Sequence, residues 1–434
     1  MKAMLTLFPG RVQCDEKKQH NKLLAILGSF CFFLSAIEYI IPKPLPFLRI
    51  GLANLPLLLA LDFFRPKDFF LLTLLKVIGH GIIGGTLFSY IFLFSFVSSF
   101  SSAAIMLFLH RLAGKKILGF AGLGCAGAMV SNYSQLFLAK FIIFGDALRY
   151  IMPPFLASGF ITGIALGIIC ELFCRYSLWY SSCMGKASSE SMQNASKEAD
   201  FLNKKKCYDT LPNFSSKKKA SPFYLRQSQR WNNFFNAQEL FIAGMIMTAI
   251  FLFTGQLENR ILLLLFFFVL FIFSGKKMNI LLVLTMMSVI VFFNMLLPYG
   301  KVLAVIGPLS ITQGSLFSGI NKALSLEALV IMSRTFVSGG LRLPGKIGFL
   351  LGEALAMLEL LREKKGKIQK GRIIAGIDAI FMEMEGLNEN TSCNAEFCKE
   401  KKPQASHVKS ITVLCAIIIL AAAIAFFPFP SFFK

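Results

Sequence analysis

A chain of 434 residues that is 55% hydrophobic, with a mean hydropathy of +0.65, has more apolar surface than a water-soluble fold can hide, and this excludes a soluble globular protein. Lys and Arg outnumber Asp and Glu by 45 to 23, but the cations sit in loops and in a central linker, where they orient membrane segments; nucleic acid is therefore not expected as a partner. The ten cysteines form no C-x-x-C and the four histidines, at positions 20, 80, 110 and 407, show no metal-ligand spacing, so no disulfide framework, metal or other cofactor is expected.

Residues 1–21 are polar and of mixed charge, without a cleavable signal, so the first apolar run should remain as a helix. Six runs then follow as candidate spans: 23–41, 50–64, 69–83, 86–109, 118–144 and 151–173. The first ends in Pro42-Lys43-Pro44-Leu45-Pro46, which cannot continue a helix. The basic turns Arg65-Pro66-Lys67 and His110-Arg111 with Lys115-Lys116 belong on the cytoplasmic side, together with the N-terminus. In the sixth run Gly159, Gly163 and Gly167 recur every four residues and make a ridge that lets another helix approach closely.

Residues 175–235 break the composition, with Lys204-Lys205-Lys206 and Lys217-Lys218-Lys219 among Ser and Asn. Too polar to bury a core, this stretch reads as a flexible cytoplasmic tether, or as a segment that docks on anionic lipid. A second membrane module, 236–434, offers spans at 240–254, 261–274, 279–297 and near 323–337, an amphipathic stretch at 349–361, a basic segment at 362–402 and a last span at 411–427. The stretch 349–361 suits the membrane surface or a partner's face. The expected architecture is all-α: a six-span bundle (1–174), a linker, and a second module, about eleven crossings in a bacterial cytoplasmic membrane.

Chemistry concentrates in the first module. Lys76 and His80 lie four residues apart inside an apolar run, so on a helix they share a face. A charge near mid-bilayer costs about 2.5 kcal/mol or more, and such groups point into a bundle or cavity. The plain alternative is that Lys76 snorkels or pairs with Glu38 while His80 bonds to backbone. With Glu38, Arg49, Asn54, Asn132, Gln135 and Lys140 they form a polar set in which cations outnumber acids, suited to a small solute bearing a carboxylate or phosphate.

Two apparent catalytic motifs fail. Gly340-Leu-Arg-Leu-Pro-Gly345-Lys346-Ile347 nearly spells a P-loop, but Ile347 replaces the magnesium-binding hydroxyl and no strand precedes it. No D-D-x-x-D gathers carboxylates for a diphosphate-bound magnesium, so prenyl transfer by this chain alone is not expected, nor is any enzymatic activity without a partner.

Residues 22–174 resemble the Gx transporter family, whose members are often labelled heptaprenyl diphosphate synthase component I. The resemblance rests on Glu38-x-x-x-Pro42, Gly51-Leu52-Ala53-Asn54, Lys76 through Gly85-Thr86-Leu87-Phe88-Ser89, and Gly127-Ala128 with Asn132-x-x-Gln135. Departures fall at Lys76, where the family tends to carry Arg, and at Ser131, where it tends to carry His. The family in turn is similar to the substrate-binding S components of energy-coupling factor (ECF) transporters, six-helix bundles that capture vitamin-like solutes.

Residues 235–385 more weakly resemble the T component of those transporters, in Gly300-Lys301-Val302-Leu303 and Ile311-Thr312-Gln313-Gly314-Ser315-Leu316. That resemblance implies coupling to separate ATP-binding subunits through helices bearing Ala-Arg-Gly motifs, of which this chain holds only Ser333-Arg334 and Lys370-Gly371-Arg372. On the second module's cytoplasmic surface Arg334, Arg342 and Arg372 are the expected contacts, the alternative being loop arginines that simply fix topology. The resulting expectation is a fused membrane subunit of an ECF-type importer. The alternatives are a membrane component of isoprenoid diphosphate synthesis that needs a catalytic partner, a secondary transporter, and a ligand-free membrane scaffold.

Overall fold

The computed structural model describes residues 9–40, 51–184, 227, 230–231, 233–276, 280–306, 309–338, 341, 344–364, 373–386 and 407–427. The first half forms α1 (Pro9–Ile40), α2 (Leu55–Ala60), α3 (Pro66–Gly84), α4 (Tyr90–Ile117), α5 (Phe120–Ala139), α6 (Leu148–Tyr176) and α7 (Leu178–Cys183). The second forms α8 (Ala237–Phe253), α9 (Leu257–Phe273), α10 (Ile280–Met295), strands β1 (Val302–Ile306) and β2 (Leu309–Thr312), α11 (Gln313–Phe336), α12 (Gly345–Lys364), α13 (Ile373–Gly386) and α14 (His407–Phe426). The only addition to a helical fold among the described residues is the β1–β2 hairpin, antiparallel with Ile306 opposite Leu309 and an irregularity between Val302 and Ala304.

Local chemistry sets the helix ends. Pro66 opens α3 after an extended Arg65, Asp68 sits in the first turn, where a carboxylate suits the helix dipole, and Gly85 ends the helix in the left-handed region at φ +62°. Between α5 and α6 the chain makes a π-helical turn (Lys140–Phe144) and a 3-10 turn (Gly145–Ala147). At the far end of α11, the Lys276 ammonium donates to the carbonyls of Arg334 and, at 2.8 Å, of Val337, satisfying acceptors that the last turn leaves unpaired. Helix α14 is clamped to α8 and α9: Ser410 donates to the Glu239 carboxylate, and Asn259 donates to the carbonyls of Ala425 (2.8 Å) and Phe427 (3.1 Å).

This is a multi-helix membrane protein. Among the described residues five helical stretches are long and apolar enough to cross a bilayer: Gln19–Glu38, Tyr90–Leu112, Phe120–Tyr176, Gln313–Phe336 and Lys409–Phe426. The 57-residue stretch contains α5, the break and α6. Helices α8, α9 and α10, with 17, 17 and 16 residues, are shorter than the roughly 20 residues of a perpendicular crossing.

The two halves share their cores rather than folding apart. One core joins α1–α7 to Leu350, Ala354 and Leu358 of α12 and to Ile380, Phe381 and Met384 of α13. A second gathers α8, α9, α11 and α14 with Phe88 and Tyr90 against them. The third joins Phe94, Phe144 and Phe155 to Ile290 of α10 and to Ala323, Leu326 and Val330 of α11.

The amphipathic stretch 349–361, expected at the membrane surface or against a partner, instead lies on α1, where a Cβ added to Gly28 would sit 3.4 Å from that of Ala354. Leu350, Leu351, Ala354, Met357, Leu358 and Leu361 are buried inside the molecule, while Phe349 stays exposed. Helix α7 lies within 175–235, the stretch expected to be a tether, yet Trp179 is fully buried, 4.8 Å from the Phe381 ring. Asp378 of α13 accepts from Ser177 and, at 2.8 Å, from the Leu178 amide, so α13 is latched to the first bundle. The Lys-rich runs at 204–206 and 217–219, and Lys367, lie outside the described residues.

One end of the first bundle rests on the flank of α11. A Cβ on Gly85 would lie 3.0 Å from Cγ of Arg334, and the Phe88 amide donates to Ser333 at 3.0 Å. At the same end of the bundle, Asn294 of α10 donates to the Ile143 carbonyl at 3.2 Å. Loop charge places the C-terminal ends of α3 and α11 on opposite sides of the membrane, yet they touch.

Candidate solute cavity

A cavity inside the first bundle is walled by α1, the 51–54 turn, α3, α4, α5 and α6. Gly51, left-handed at φ +82°, turns the chain so that a 3-10 turn aims Asn54 inward. Lys76, 6% exposed, donates to Asn54 Oδ1 and lies 3.5 Å from Ser99 Oγ. Glu38 (3% exposed) and His80 complete that side of the cavity.

Opposite, Asn132 donates to the Phe155 carbonyl at 3.0 Å. Gly159 makes room for it, since a Cβ there would come within 2.2 Å of the Asn132 amide nitrogen. One turn on, a Cβ on Gly163 would lie 2.8 Å from Cα of Cys125, and one on Gly167 would lie 2.4 Å from Cα of Ala121. These three glycines therefore set α6 directly against α5.

The polar set expected from the sequence divides. Glu38, Asn54, Lys76, His80 and Asn132 line the cavity. Gln135 is buried behind the wall, its amide 3.3 Å from Ser131 Oγ. Lys140 does not join them: it follows the last α-helical residue of α5, and the π-helical turn leaves it exposed. Arg49, Arg342 and Arg372 lie outside the described residues. Arg334 is half-buried against Gly85 and, with Lys276, Phe271 and Val337, lines a cleft between the halves.

Sequence reasoning missed the hydroxyls. Ser35, Ser98, Ser99, Ser102, Ser131 and Thr162 all line the cavity. The signal was present in α4, where Ser95, Ser98, Ser99 and Ser102 follow the i, i+3, i+4, i+7 spacing of one helix face and are all buried. The cavity volume is about 30 Å³, room for a water or two, so a larger solute requires the neighbouring side chains to give way.

Fold and cavity together define a helical integral membrane protein with a polar chamber in its first half. Residues 27–173, which hold that chamber, match the family model described as heptaprenyl diphosphate synthase component I. Residues 239–338 match a domain of unknown function, DUF8519. No curated protein and no solved structure matches the chain.

Proposed function

We propose that the chain is a membrane subunit of an ECF-type importer: the first bundle captures a small anionic solute, and the second half transmits motion from separate ATP-binding subunits. The observation that carries this reading is Lys76, a buried cation held by Asn54 and Ser99 on the wall of a cavity rich in hydroxyls and amides. A buried ammonium held by neutral oxygens of Asn54 and Ser99 on a cavity wall is a natural place for an anionic group of a solute to dock. The close seating of the first bundle on α11 supports mechanical linkage between the halves.

A second reading is favoured by the family to which residues 27–173 are similar: a membrane component of heptaprenyl diphosphate synthesis, active with a catalytic partner. The two readings separate on what co-purifies. Nucleotide-binding subunits retained with the tagged chain from native membranes support the importer. A prenyl diphosphate synthase retained in their place supports the second reading.

A further inference from the structure

We infer that the cavity selects a small non-aromatic solute carrying one carboxylate and several hydroxyl groups, a polyhydroxylated aliphatic acid rather than a flat heterocycle. This rests on the solute-capture reading above and names the class of solute. Three observations carry it.

The first is what the wall lacks. The chain has 47 Phe and 9 Tyr, yet among the described residues none of the cavity-lining side chains is Phe, Tyr or Trp, and the one ring on the wall is the His80 imidazole. Stacking between large rings is the natural way to hold a planar heterocycle, and the described Phe, Tyr and Trp rings lie in the cores or on the exposed surface and not on this wall.

The second is what the wall offers. Six hydroxyls, from five serines and a threonine, converge on the cavity with the amides of Asn54 and Asn132. Ser98 and Thr162 donate to the carbonyls of Ser95 (3.3 Å) and Ser158 (2.9 Å) and so offer acceptors, while a hydroxyl without such a bond can also donate, a mixture that matches the hydroxyls of a polyol.

The third is an unmet requirement. Ser35 and Ser102 are each 1% exposed, line the cavity, and have no hydrogen-bond partner for their Oγ atoms among the described residues. Buried polar atoms left unpaired cost about 1–3 kcal/mol each; a water in the cavity can relieve that cost, and a solute that displaces the water must supply a hydroxyl in its place. A site built in this way rejects analogues that lack the hydroxyl far more strongly than a greasy pocket rejects a missing methylene. Lys76 then takes the carboxylate, and the serine face of α4 reads the hydroxyls.

The test uses the purified full-length chain in nanodiscs. Calorimetric binding of D-glycerate and D-gluconate is compared with that of propionate and hexanoate, which lack the hydroxyls, and with that of benzoate and nicotinate. At least one hydroxy acid should bind at least about tenfold more tightly than its hydroxyl-free counterpart, with no binding of either aromatic acid. Ser35→Ala and Ser102→Ala should each weaken the hydroxy acid by about tenfold without lowering the melting temperature. Preference for benzoate or nicotinate, or equal binding of hydroxylated and hydroxyl-free acids, overturns the inference. If the preferred aromatic acid is lost in Lys76→Met, solute capture survives while this class assignment falls. If no probe binds and mass spectrometry finds no small molecule released from the denatured protein, both fall.

Discussion

Lys76 carries the most weight of any single side chain, because it is the buried cation of the cavity and is shared between Asn54 and Ser99. Lys76→Met should leave expression unchanged and weaken solute binding by about 10- to 100-fold, the range for a lost hydrogen bond to a charged group. Unaltered binding would mean that Lys76 only holds helices together. Lys76, Asn54 and Asn132 were legible in the sequence because a polar residue in an apolar run advertises its own cost. Serines do not advertise it in the same way, since a hydroxyl in a helix can bond back to its own backbone, as Thr73 does to the Phe69 carbonyl at 2.9 Å. Lys140 misled for a geometric reason: α-helical spacing was carried through residue 144, and the chain leaves the α-helix at Ala139.

At the scale of elements, the α5–α6 contact and the α7–α13 latch make separate predictions. Gly163→Leu would drive a side chain into Ala128 and the backbone of Cys125, so it should cost about 1–3 kcal/mol or more, seen as a lower melting temperature in detergent. Asp378→Ala strips the Ser177 hydroxyl and the Leu178 amide of their acceptor, and amide exchange should speed up in α7 and α13 while solute binding stays intact.

Burial raises the Asp378 carboxyl above its ordinary value, against the opposing pull of Ser177 and the backbone amides. The folded state thus holds this proton more tightly than the unfolded state, so its contribution is greatest in acid and declines as pH rises from 3.8 through the folded value. Protection of α13, corrected for intrinsic exchange, should therefore fall with rising pH in that window, and Asp378→Asn should flatten the trend. The helices themselves followed from apolar runs and breakers, whereas the placing of α12 on α1 did not. An amphipathic face shows that a stripe is buried, without naming the surface that buries it.

For the whole molecule, the sequence separated two membrane halves by a polar linker, and the structure interleaves them through three shared cores. Loop charge reports which side a loop prefers and says nothing of how one bundle leans on another, which is why the meeting of Gly85 with Arg334 was not foreseen. A Cβ on Gly85 would lie 3.7 Å from that of Arg334, a spacing suited to a disulfide. In a chain whose native cysteines are replaced, Gly85→Cys with Arg334→Cys should cross-link on mild oxidation, even though the left-handed backbone at Gly85 costs a side chain about 1–2 kcal/mol. Failure to cross-link would separate the two halves.

The central claim, solute capture by this chain with energy supplied in trans, is tested most directly in proteoliposomes holding the protein alone and the solute recovered from the purified chain. The account predicts saturable binding that Lys76→Met weakens, and no accumulation whether ATP or an ion gradient is supplied. Accumulation driven by an ion gradient without any ATPase would contradict it and make the chain a secondary transporter.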